Sequence, residues 1–589
     1  MGVILSACHG LPRTHGPRRA LAELDDRPHN VVFDLSVPIP ENTNAGGLLP
    51  LPPERTFAGL IGALERAKAA PAPGYFVRLG ENTFDWAKTQ ELGQALGALR
   101  GPDHPVICHG NAFSNASMWL ALAGCDQIWL SPAGTVDTVG IAAESVYLKR
   151  LLERFKVHAD FLHVGRYKSA AETLTRDGPS DDAKESLESV LASIRQTWLE
   201  GVGKLNRDPA IVGALEAGPW VPKAALAAGM ITHIGYESEA RSALAVTTHV
   251  EQFESSFGPG QEQHAAAEAA ELLHALGGVS DSVGSPHVAI LPASGGINMG
   301  GGEGMQEGIT SEGLARQIRA LKRDNSVKAV VLRIDSPGGS ALASDLLWHE
   351  LMELRSEKPL IASVGSMAAS GGYYLASAAD VLIAEETSIV GSIGVVGGKI
   401  VLNEALDEFG VSTQVFSAKP GDFARQRAAY LSSISGWDDA TRERVQEQMQ
   451  AVYDLFIERV AEGRHLDPNR VREVAEGRIW SGAQGRERGL VDEFGGLSEA
   501  TKRAKERAGL APDAPVTVEG PSGGLLEMLG LGSDSDDADT RAALLRAQAK
   551  EPEWWSVVTP GLRSQFEGLL PLLGGERVLA VAPFAFELH

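Results

Sequence analysis

The chain has few cysteines and lacks the short motifs that accompany metal and nucleotide chemistry. Its three cysteines, Cys8, Cys108 and Cys125, show no CxxC spacing, so neither a disulfide framework nor a structural zinc site is indicated. The HExxH zinc motif and the GxxxxGK[ST] phosphate loop are also absent. We therefore expect no metal and no cofactor.

Excess positive charge and long apolar runs are missing too. Against 53 Lys and Arg stand 76 Asp and Glu, giving a net charge of −23. Because a nucleic-acid partner needs a basic face, we expect no nucleic acid among the partners. No uninterrupted apolar run approaches the ~20 residues needed to cross a bilayer. The sequence therefore predicts no transmembrane anchor.

The composition is that of a folded protein with several cores. Hydrophobic residues at 43% and charged residues at 22% are ordinary for globular domains. At 589 residues the chain is too long for one core, so two to four domains are expected.

The first residues contain "LSAC", which ends at Cys8 and has the form of a bacterial lipoprotein cleavage box. Only seven residues precede Cys8, too few for a charged region plus an apolar region of ~7–15 residues. Two interpretations stay open: an arbitrary apolar N-terminus, or a true start further upstream with a lipid on Cys8. We treat residues 1–27 as a leader-like segment.

The sequence repeats itself with a period of about 254 residues. Apolar and glycine positions agree in three pairs of segments: Leu152 to Glu172 with Leu406 to Gln426, Cys125 to Glu144 with Ala379 to Gly398, and His104 to Gly124 with Lys358 to Ala378. Two homologous domains are therefore predicted. The boundaries are 28–250 and 285–510 for the domains, 251–284 for a linker with one helix, and 511–589 for a C-terminal extension.

Each copy alternates short β-rich runs with helical patterns. In the second copy, "HVAILPA" and "KAVVLRID" are typical of buried strands, whereas "SEGLARQIRALKRD" has the apolar spacing of an amphipathic helix at Leu314, Ile318 and Leu321. Strands that alternate with helices of this length favour βαβ units. The predicted fold class is α/β with mostly parallel sheets.

Two glycine-rich turns follow strands in the second copy. They are "RIDSPGGSALAS" and "SVGSMAASGGYYLASAAD", the second of which contains Ser370. Neighbouring turns of this kind bring free N–H groups and helix N-termini to one edge of a sheet, where they can hold an oxyanion. Ser370 is then a candidate nucleophile, although no histidine or other base lies nearby in sequence. Close-packed turns without chemistry are the alternative.

The sequences of these turns resemble those of the signal peptide peptidase A (protease IV) family in its long, duplicated form. The resemblance covers roughly residues 28–510 and is carried by "DSPGGS" (Asp335 to Ser340), "ASGGYYLA" (Ala369 to Ala376), "GSIGV" (Gly391 to Val395) and, in the first copy, "VGRYKSAAE" (Val164 to Glu172). It implies two tandem domains of the Clp protease and crotonase type, plus a small C-terminal extension.

The resemblance implies that Ser370 is the nucleophile, that Lys168 is the general base and that Ser392 orients the lysine. The repeat supports the first two roles independently. The counterpart of Ser370 in the first copy is Asn115, and the counterpart of Lys168 in the second copy is Asp422. Each copy thus retains one half of a Ser–Lys pair.

The oxyanion hole is expected from the N–H of Gly371 together with an N–H from Gly338 or Gly339. Two other lysines, Lys419 in a Pro/Gly loop and Lys399 near the "GSIG" motif, are alternative bases. Ser336, Ser340 and Ser366 are interpreted as turn and cap residues.

A free lysine with a pKa of about 10.4 is charged at neutral pH and cannot accept a proton. Burial disfavours the ammonium and lowers the pKa. We therefore expect Lys168 to be desolvated between the two copies.

The resulting hypothesis is a serine endopeptidase with a Ser–Lys dyad that hydrolyses apolar peptides such as cleaved signal peptides. The family implies a ring-like homotetramer and the periplasmic face of the bacterial inner membrane, with possible association with the membrane surface. Two alternatives are a crotonase-like acyl-CoA hydratase or isomerase and a non-catalytic scaffold of the same fold.

Overall fold

The structure is a computed structural model, and it describes residues 28–42, 56–81, 84–258, 284–300, 308–519, 578–581 and 587–588. The leader-like segment with Cys8 and the helix predicted in the linker lie outside the described residues.

The first half of the chain alternates strands and helices. Its strands are β1 (Asn30–Leu35), β2 (Tyr75–Leu79), β3 (Val106–Ser114), β4 (Gln127–Asp137), β5 (Ala143–Glu144), β6 (His158–Val164), β7 (His233–Ile234) and β8 (Phe253–Phe257). Its helices are α1 (Phe57–Ala69), α2 (Trp86–Gly97), α3 (Asn115–Gly124), α4 (Lys149–Arg154), α5 (Glu172–Thr175), α6 (Asp181–Gly203), α7 (Ala210–Ala214), α8 (Pro222–Ala227) and α9 (Glu237–Thr248).

The second half follows the same plan. Its strands are β9 (His287–Ser294), β10 (Ile297–Asn298), β11 (Ile309–Thr310), β12 (Val327–Ser336), β13 (Gly338–Ser340), β14 (Leu360–Ala369), β15 (Val381–Ala384), β16 (Ile389–Gly391), β17 (Val395–Val401), β18 (Ile479–Ser481), β19 (Glu493–Phe494), β20 (Val516–Val518), β21 (Val578–Val581) and β22 (Glu587–Leu588). Its helices are α10 (Ser311–Arg323), α11 (Ala341–Arg355), α12 (Gly371–Ala376), α13 (Asn403–Glu408), α14 (Asp422–Ala428), α15 (Asp439–Arg464), α16 (Pro468–Val474), α17 (Gly482–Glu487) and α18 (Leu497–Ala508).

The two halves contain equivalent sheets. The first sheet has the order β7-β4-β3-β2-β1-β8, and all its pairs are parallel. The second has the order β18-β16-β14-β12-β9-β20, with β15 beside β14 and β19 beside β15, and it is parallel except at β16–β18. The α/β class with mostly parallel sheets is confirmed, and the matching strand orders support an internal duplication. The domain boundaries stay a prediction, with β8 and β20 just beyond the predicted ends.

Burial explains why these segments form strands and helices. Along β12 nearly every side chain is buried, as expected for a parallel strand covered by helices on both faces. The helix predicted from Leu314, Ile318 and Leu321 is α10, and all three side chains are buried. It begins where the Thr310 hydroxyl accepts the N–H of Gly313, an N-cap that satisfies a free donor of the first turn.

A third sheet joins the halves and is central to the site. Its order is β11-β10-β13-β21-β17-β6. Strand β6 belongs to the first half, yet it pairs antiparallel with β17 of the second half, from Val164 opposite Val395 to His158 opposite Val401. The loop that follows β6 therefore lies at the edge of the second parallel sheet.

Buried charges also link the halves. The Arg333 guanidinium, 1% exposed, lies 3.1 Å from a Glu41 carboxylate oxygen and 3.0 Å from one of Glu91. Nearby, Lys88 Nζ is 3.0 Å from Asp335. Burial alone would lower the pKa of Arg333, but Glu41 and Glu91 together hold it above its ordinary value. Each cation of the cluster contacts at least one carboxylate, and removal of Arg333 would leave buried carboxylates without their partner.

The cysteines correct one prediction from the sequence. Cys108 on β3 and Cys125, directly after α3, form a disulfide with Cα atoms 5.9 Å apart. The sequence analysis did not indicate a disulfide because the pair has no diagnostic spacing. The two residues meet because α3 runs back along β3, a consequence of the fold and not of a local motif.

The length and polarity of a helix decide whether it could cross a membrane. Throughout the described ranges, each helix is too short or too polar to cross a bilayer.

Candidate active site

Ser370 occupies a constrained turn between β14 and α12. Its backbone has φ 55° and ψ −114°, a left-handed φ that non-glycine residues rarely adopt. The Ser370 N–H donates to the Gly391 carbonyl at 2.7 Å, and its carbonyl accepts the Tyr374 N–H at 2.9 Å. Such strain persists only where the surroundings fix it, and it is common at catalytic sites. The residue is completely buried.

Lys168, from the loop after β6, lies directly against Ser370. Its Nζ is 2.7 Å from Ser370 Oγ, across 202 residues of sequence. The same nitrogen is 2.9 Å from the Ser392 carbonyl oxygen and 3.0 Å from Ser392 Oγ. The three residues named by the sequence analysis as nucleophile, base and orienting hydroxyl are thus brought together.

The environment of Lys168 is dry. The side chain is 2% exposed, and burial lowers the pKa of Lys168 well below its ordinary value. Desolvation penalises the charged ammonium because the low-dielectric interior solvates charge poorly. The amine is therefore shifted toward the uncharged form that can accept a proton.

Two glycines pack against Lys168, Gly477 on its backbone and Gly394 on its side chain, and the sequence analysis assigned neither of them a role. A Cβ added at Gly477, where φ is +76°, would lie 2.6 Å from both Cβ and N of Lys168. A Cβ at Gly394 would lie 3.1 Å from Lys168 Cδ. The neighbouring Tyr167 N–H donates to the Glu476 carbonyl at 2.7 Å. These contacts join positions more than 200 residues apart, so no local motif could have indicated them.

The predicted oxyanion glycines separate into two groups. Gly338, with φ +100°, approaches Gly371 so closely that a Cβ on Gly338 would lie 2.7 Å from the Gly371 nitrogen. Gly339 is directed the other way, since a Cβ there would meet the Ile297 carbonyl oxygen at 2.0 Å. The Gly338 N–H donates to Ser336 Oγ at 3.2 Å. Gly338 is therefore the one of the two that lies beside Gly371.

The other serines of the two turns have structural partners. Ser340 Oγ accepts the Ala343 N–H at 3.1 Å and caps α11. Ser336 Oγ donates to the Gly295 carbonyl at 2.6 Å. Ser366 Oγ donates to Asp335 Oδ2 at 3.2 Å. These contacts agree with the interpretation of Ser340 and Ser336 as cap and turn residues. Ser366 differs, because it lies within β14 and its hydroxyl contacts the carboxylates of Asp85 and Asp335.

The alternative lysines are directed elsewhere. Lys419 is exposed. Lys399 is buried, but its Nζ donates to the carbonyls of Tyr430 at 3.1 Å and Ser432 at 3.0 Å. Lys399 is therefore a second buried lysine whose described hydrogen bonds lie away from Ser370, which makes it a useful control.

The counterparts of the pair occupy equivalent elements with different chemistry. Asn115 begins α3 after β3, as Ser370 precedes α12 after β14. Its side-chain amide donates to the Gly140 carbonyl at 2.9 Å, and its Oδ1 accepts the Val139 N–H at 3.1 Å. Asp422 begins α14 with an exposed side chain, 3.2 Å from Arg425. An amide thus stands where the second half has a hydroxyl, and an exposed carboxylate where the first half has a buried amine.

A metal site would need a group of His, Cys, Asp or Glu side chains close together. Within the described parts of the chain, no three or more His, Cys, Asp and Glu side chains are grouped so that they could hold a metal ion.

Sequence comparison gives the chain its family. The family described as "Peptidase family S49" matches residues 99–251 and 352–511, segments that contain Lys168 and Ser370 respectively. The chloroplastic serine protease SPPA of Arabidopsis thaliana is 28% identical over 85% of this chain and 73% of its own length. Protease 4 of Haemophilus influenzae is 30% identical over 78% and 74%, and Protease 4 of Salmonella typhi is 30% identical over 72% and 67%. The chain belongs to peptidase family S49 and is, at that level, a serine protease.

Proposed function

We propose that the protein is a serine endopeptidase in which Lys168 activates Ser370 for attack on apolar peptides such as cleaved signal peptides. The observation that carries the proposal is the 2.7 Å separation of Lys168 Nζ and Ser370 Oγ in a buried site. A hydrogen-bond distance is the geometric requirement for a base and its nucleophile.

The hydrogen bonds around Lys168 accommodate the uncharged amine that burial favours. A neutral amine has two N–H donors and one lone pair. The carbonyl oxygen and Oγ of Ser392 can accept the two donors, at 2.9 and 3.0 Å. The lone pair is then directed at the Ser370 hydroxyl proton. With both acceptors supplied by Ser392, the uncharged amine of Lys168 needs no carboxylate partner.

The reaction then proceeds in two balanced steps. Ser370 Oγ bonds to the substrate carbonyl carbon while its proton passes to Lys168 Nζ. The C–N bond breaks, and Lys168 returns the proton to the leaving amine. Water next attacks the acyl ester, giving one proton to Lys168, and Ser370 Oγ leaves and recovers that proton. The Gly371 N–H would stabilise the oxyanion of each tetrahedral intermediate, and the Gly338 N–H would join it by exchanging its present acceptor, Ser336 Oγ, for the oxyanion.

The proposal extends to assembly and location, following the family resemblance: a ring-like homotetramer at the periplasmic face of the inner membrane. Large exposed apolar side chains support an interface. Phe155 of the first half is 57% exposed, and Phe409 and Phe416 of the second are 78% and 82% exposed. Exposed apolar side chains mark a protein or membrane contact where they form a contiguous patch. Sedimentation with and without lipid vesicles tests this part, and a monomer that ignores vesicles would contradict it.

The test of function is hydrolysis of a fluorogenic apolar peptide by matched variants. Ser370→Ala and Lys168→Met should each lower kcat/KM by at least ~10³-fold. Lys399→Met, which removes the other buried lysine, should retain activity close to that of the unmodified protein. Hydrolysis that survives Lys168→Met but not Lys399→Met would assign the base elsewhere. Survival in Ser370→Ala would exclude the serine mechanism.

A further inference from the structure

Asp335 lies at a break in the ladder between β12 and β14, just before the turns that carry Gly338 and Ser370. The register of the two strands shifts at this point, so that Asp335 alone faces residues 365–367 of β14. Gly338 follows Asp335 by three residues, and Ser370 follows residue 367 by three. Any displacement of Asp335 would therefore reach both turns, which we call the catalytic turns.

The carboxylate of Asp335 holds the two strands together where the ladder is interrupted. Its Oδ1 accepts the Met367 N–H at 3.2 Å, and its Oδ2 accepts the Ser366 hydroxyl at 3.2 Å. A backbone N–H in the interior needs an acceptor, and here a side chain supplies it. The backbone carbonyl of Asp335 also accepts the Gly295 N–H at 2.9 Å. One residue thus fixes the strands that lead to both catalytic turns.

The cation that pairs with Asp335 comes from the other half of the chain. Lys88, on α2, has its Nζ 3.0 Å from Asp335 Oδ2 and 3.4 Å from carboxylate oxygens of Glu41 and Asp85. The Lys88 and Asp335 side chains are only 12% and 17% exposed. Burial, together with the like charges of Glu41 and Asp85, raises the pKa of Asp335, and Lys88 opposes that rise. Lys88 therefore stabilises the ionised Asp335 between two other carboxylates.

We propose that Lys88 is a positioning residue, which pairs with Asp335 so that docking of the first half fixes both catalytic turns of the second half. The proposal rests on the proposed function for the role of the turns. It gives the first half a second contribution to the site besides Lys168, one that acts through the backbones of β12 and β14.

The expected effect is on kcat. Loss of one oxyanion donor lowers kcat about 100- to 1000-fold, whereas a displaced donor near 1 Å from its place costs up to about 100-fold. Without Lys88 the turns are displaced and the donors remain, so we expect a loss of ~10- to 100-fold. Because these donors act on the transition state, KM should stay constant.

The experiment compares two ion pairs at opposite ends of β14 by peptide hydrolysis at about pH 8. Arg355 is the matched control: it lies 3.0 Å from Asp380, whose carboxylate accepts the Leu360 N–H at 2.9 Å, and the pair is 13% and 21% exposed. We expect kcat to fall at least ~10-fold in Lys88→Met, with KM constant, and to stay at the native value in Arg355→Met. An unchanged kcat in Lys88→Met overturns the proposal.

A double variant tests whether Lys88 acts through Asp335. In Lys88→Met combined with Asp335→Asn, the amide oxygen can still accept the Met367 N–H, and the amide carries no charge for Glu41 and Asp85 to repel. The double variant should therefore be at least ~3-fold faster in kcat than Lys88→Met alone. A double variant that is no faster overturns the proposal.

Hydrogen exchange followed by mass spectrometry separates this proposal from the proposed function. In Lys88→Met, the amides within residues 336–340 and 366–372 should exchange at least ~10-fold faster than in the native protein, whereas Arg355→Met should leave them unchanged. Unchanged exchange in Lys88→Met overturns the positioning role even if the native protein hydrolyses peptides. Faster exchange in these segments, without any hydrolysis by the native protein, would support the positioning role and refute the peptidase.

Discussion

Substitution of Gly477 by alanine tests whether the position of Lys168 depends on a distant glycine. The added Cβ would lie 2.6 Å from the Cβ and N of Lys168. Gly410 provides a matched control, because it has φ +74° against +76° at Gly477, yet a Cβ there meets nothing within 4 Å. Both substitutions impose the same left-handed strain, and only one of them collides with the lysine.

The magnitudes follow from these contacts. The left-handed conformation costs about 1–2 kcal/mol for a residue with a Cβ, and both variants should lose that much free energy of unfolding. Carbon atoms prefer separations of about 3.5–4.0 Å, so Gly477→Ala must displace Lys168 by roughly 1 Å. The overpacking should cost a further ~1–3 kcal/mol. A displacement of this size in a catalytic group lowers the rate about 100-fold.

The assay is kcat/KM for an apolar peptide, with urea denaturation of each variant to measure stability. Gly477→Ala should lose about 100-fold in kcat/KM, whereas Gly410→Ala should keep the activity of the unmodified protein while losing stability. Equal activity in the two variants would refute the reasoning, because the collision with Lys168 would then have no catalytic consequence.

Three further predictions concern stability. Because the folded-state pKa of Lys168 is lowered, the unfolded chain binds more protons below a pH of about 10.4, and stability rises with pH up to that value. In urea denaturation at several pH values, Lys168→Met should abolish this rise, which is about 1.4 kcal/mol per pH unit above the folded-state pKa. Cys108→Ser should lower the free energy of unfolding by ~3 kcal/mol by opening the disulfide; an unchanged value would contradict the bridge. Arg333→Met should lower the free energy of unfolding by ~3–5 kcal/mol in the same assay, since Glu41 and Glu91 lose their buried partner. An unchanged free energy of unfolding would mean that the cluster is solvated.

The sequence allowed much of the fold and the main site residues to be predicted. The strand and helix periodicities identified the α/β class, and α10 has the buried face that Leu314 and Ile318 indicate. The family resemblance named Lys168, and the duplication supported it, because the counterpart of Lys168 in the second copy is Asp422. The 2.7 Å contact with Ser370 agrees with that expectation.

The features that were missed depend on contacts between distant segments. Gly477 is a glycine because Lys168 packs against it, and nothing near Gly477 in sequence signals that approach. The Cys108–Cys125 disulfide follows from the return of α3 along β3. Strand β21 lies in the segment that was predicted only as a C-terminal extension, since its partners lie more than 170 residues away.

The residues that replace Ser370 and Lys168 in the opposite half are each satisfied by local partners. A buried amine without its hydroxyl partners costs free energy, and a strained serine without a base has no catalytic value. The first half has an amide at Asn115 that is hydrogen-bonded within its own loop. The second half has an exposed carboxylate at Asp422. Each replacement has local partners, and under the proposed function the Ser370–Lys168 pair would be the one site formed by the two halves.

The most direct test of the Ser–Lys pair is the rate at which an activated acyl probe modifies Ser370, followed by mass spectrometry from about pH 5 to about pH 10. For the unmodified protein, the rate should rise with pH as one group loses a proton, with a midpoint below the usual lysine value of about 10.4. In Lys168→Met, acylation of Ser370 should be slow at every pH. If Lys168→Met is instead acylated at the native rate with the same pH profile, Lys168 is not the base.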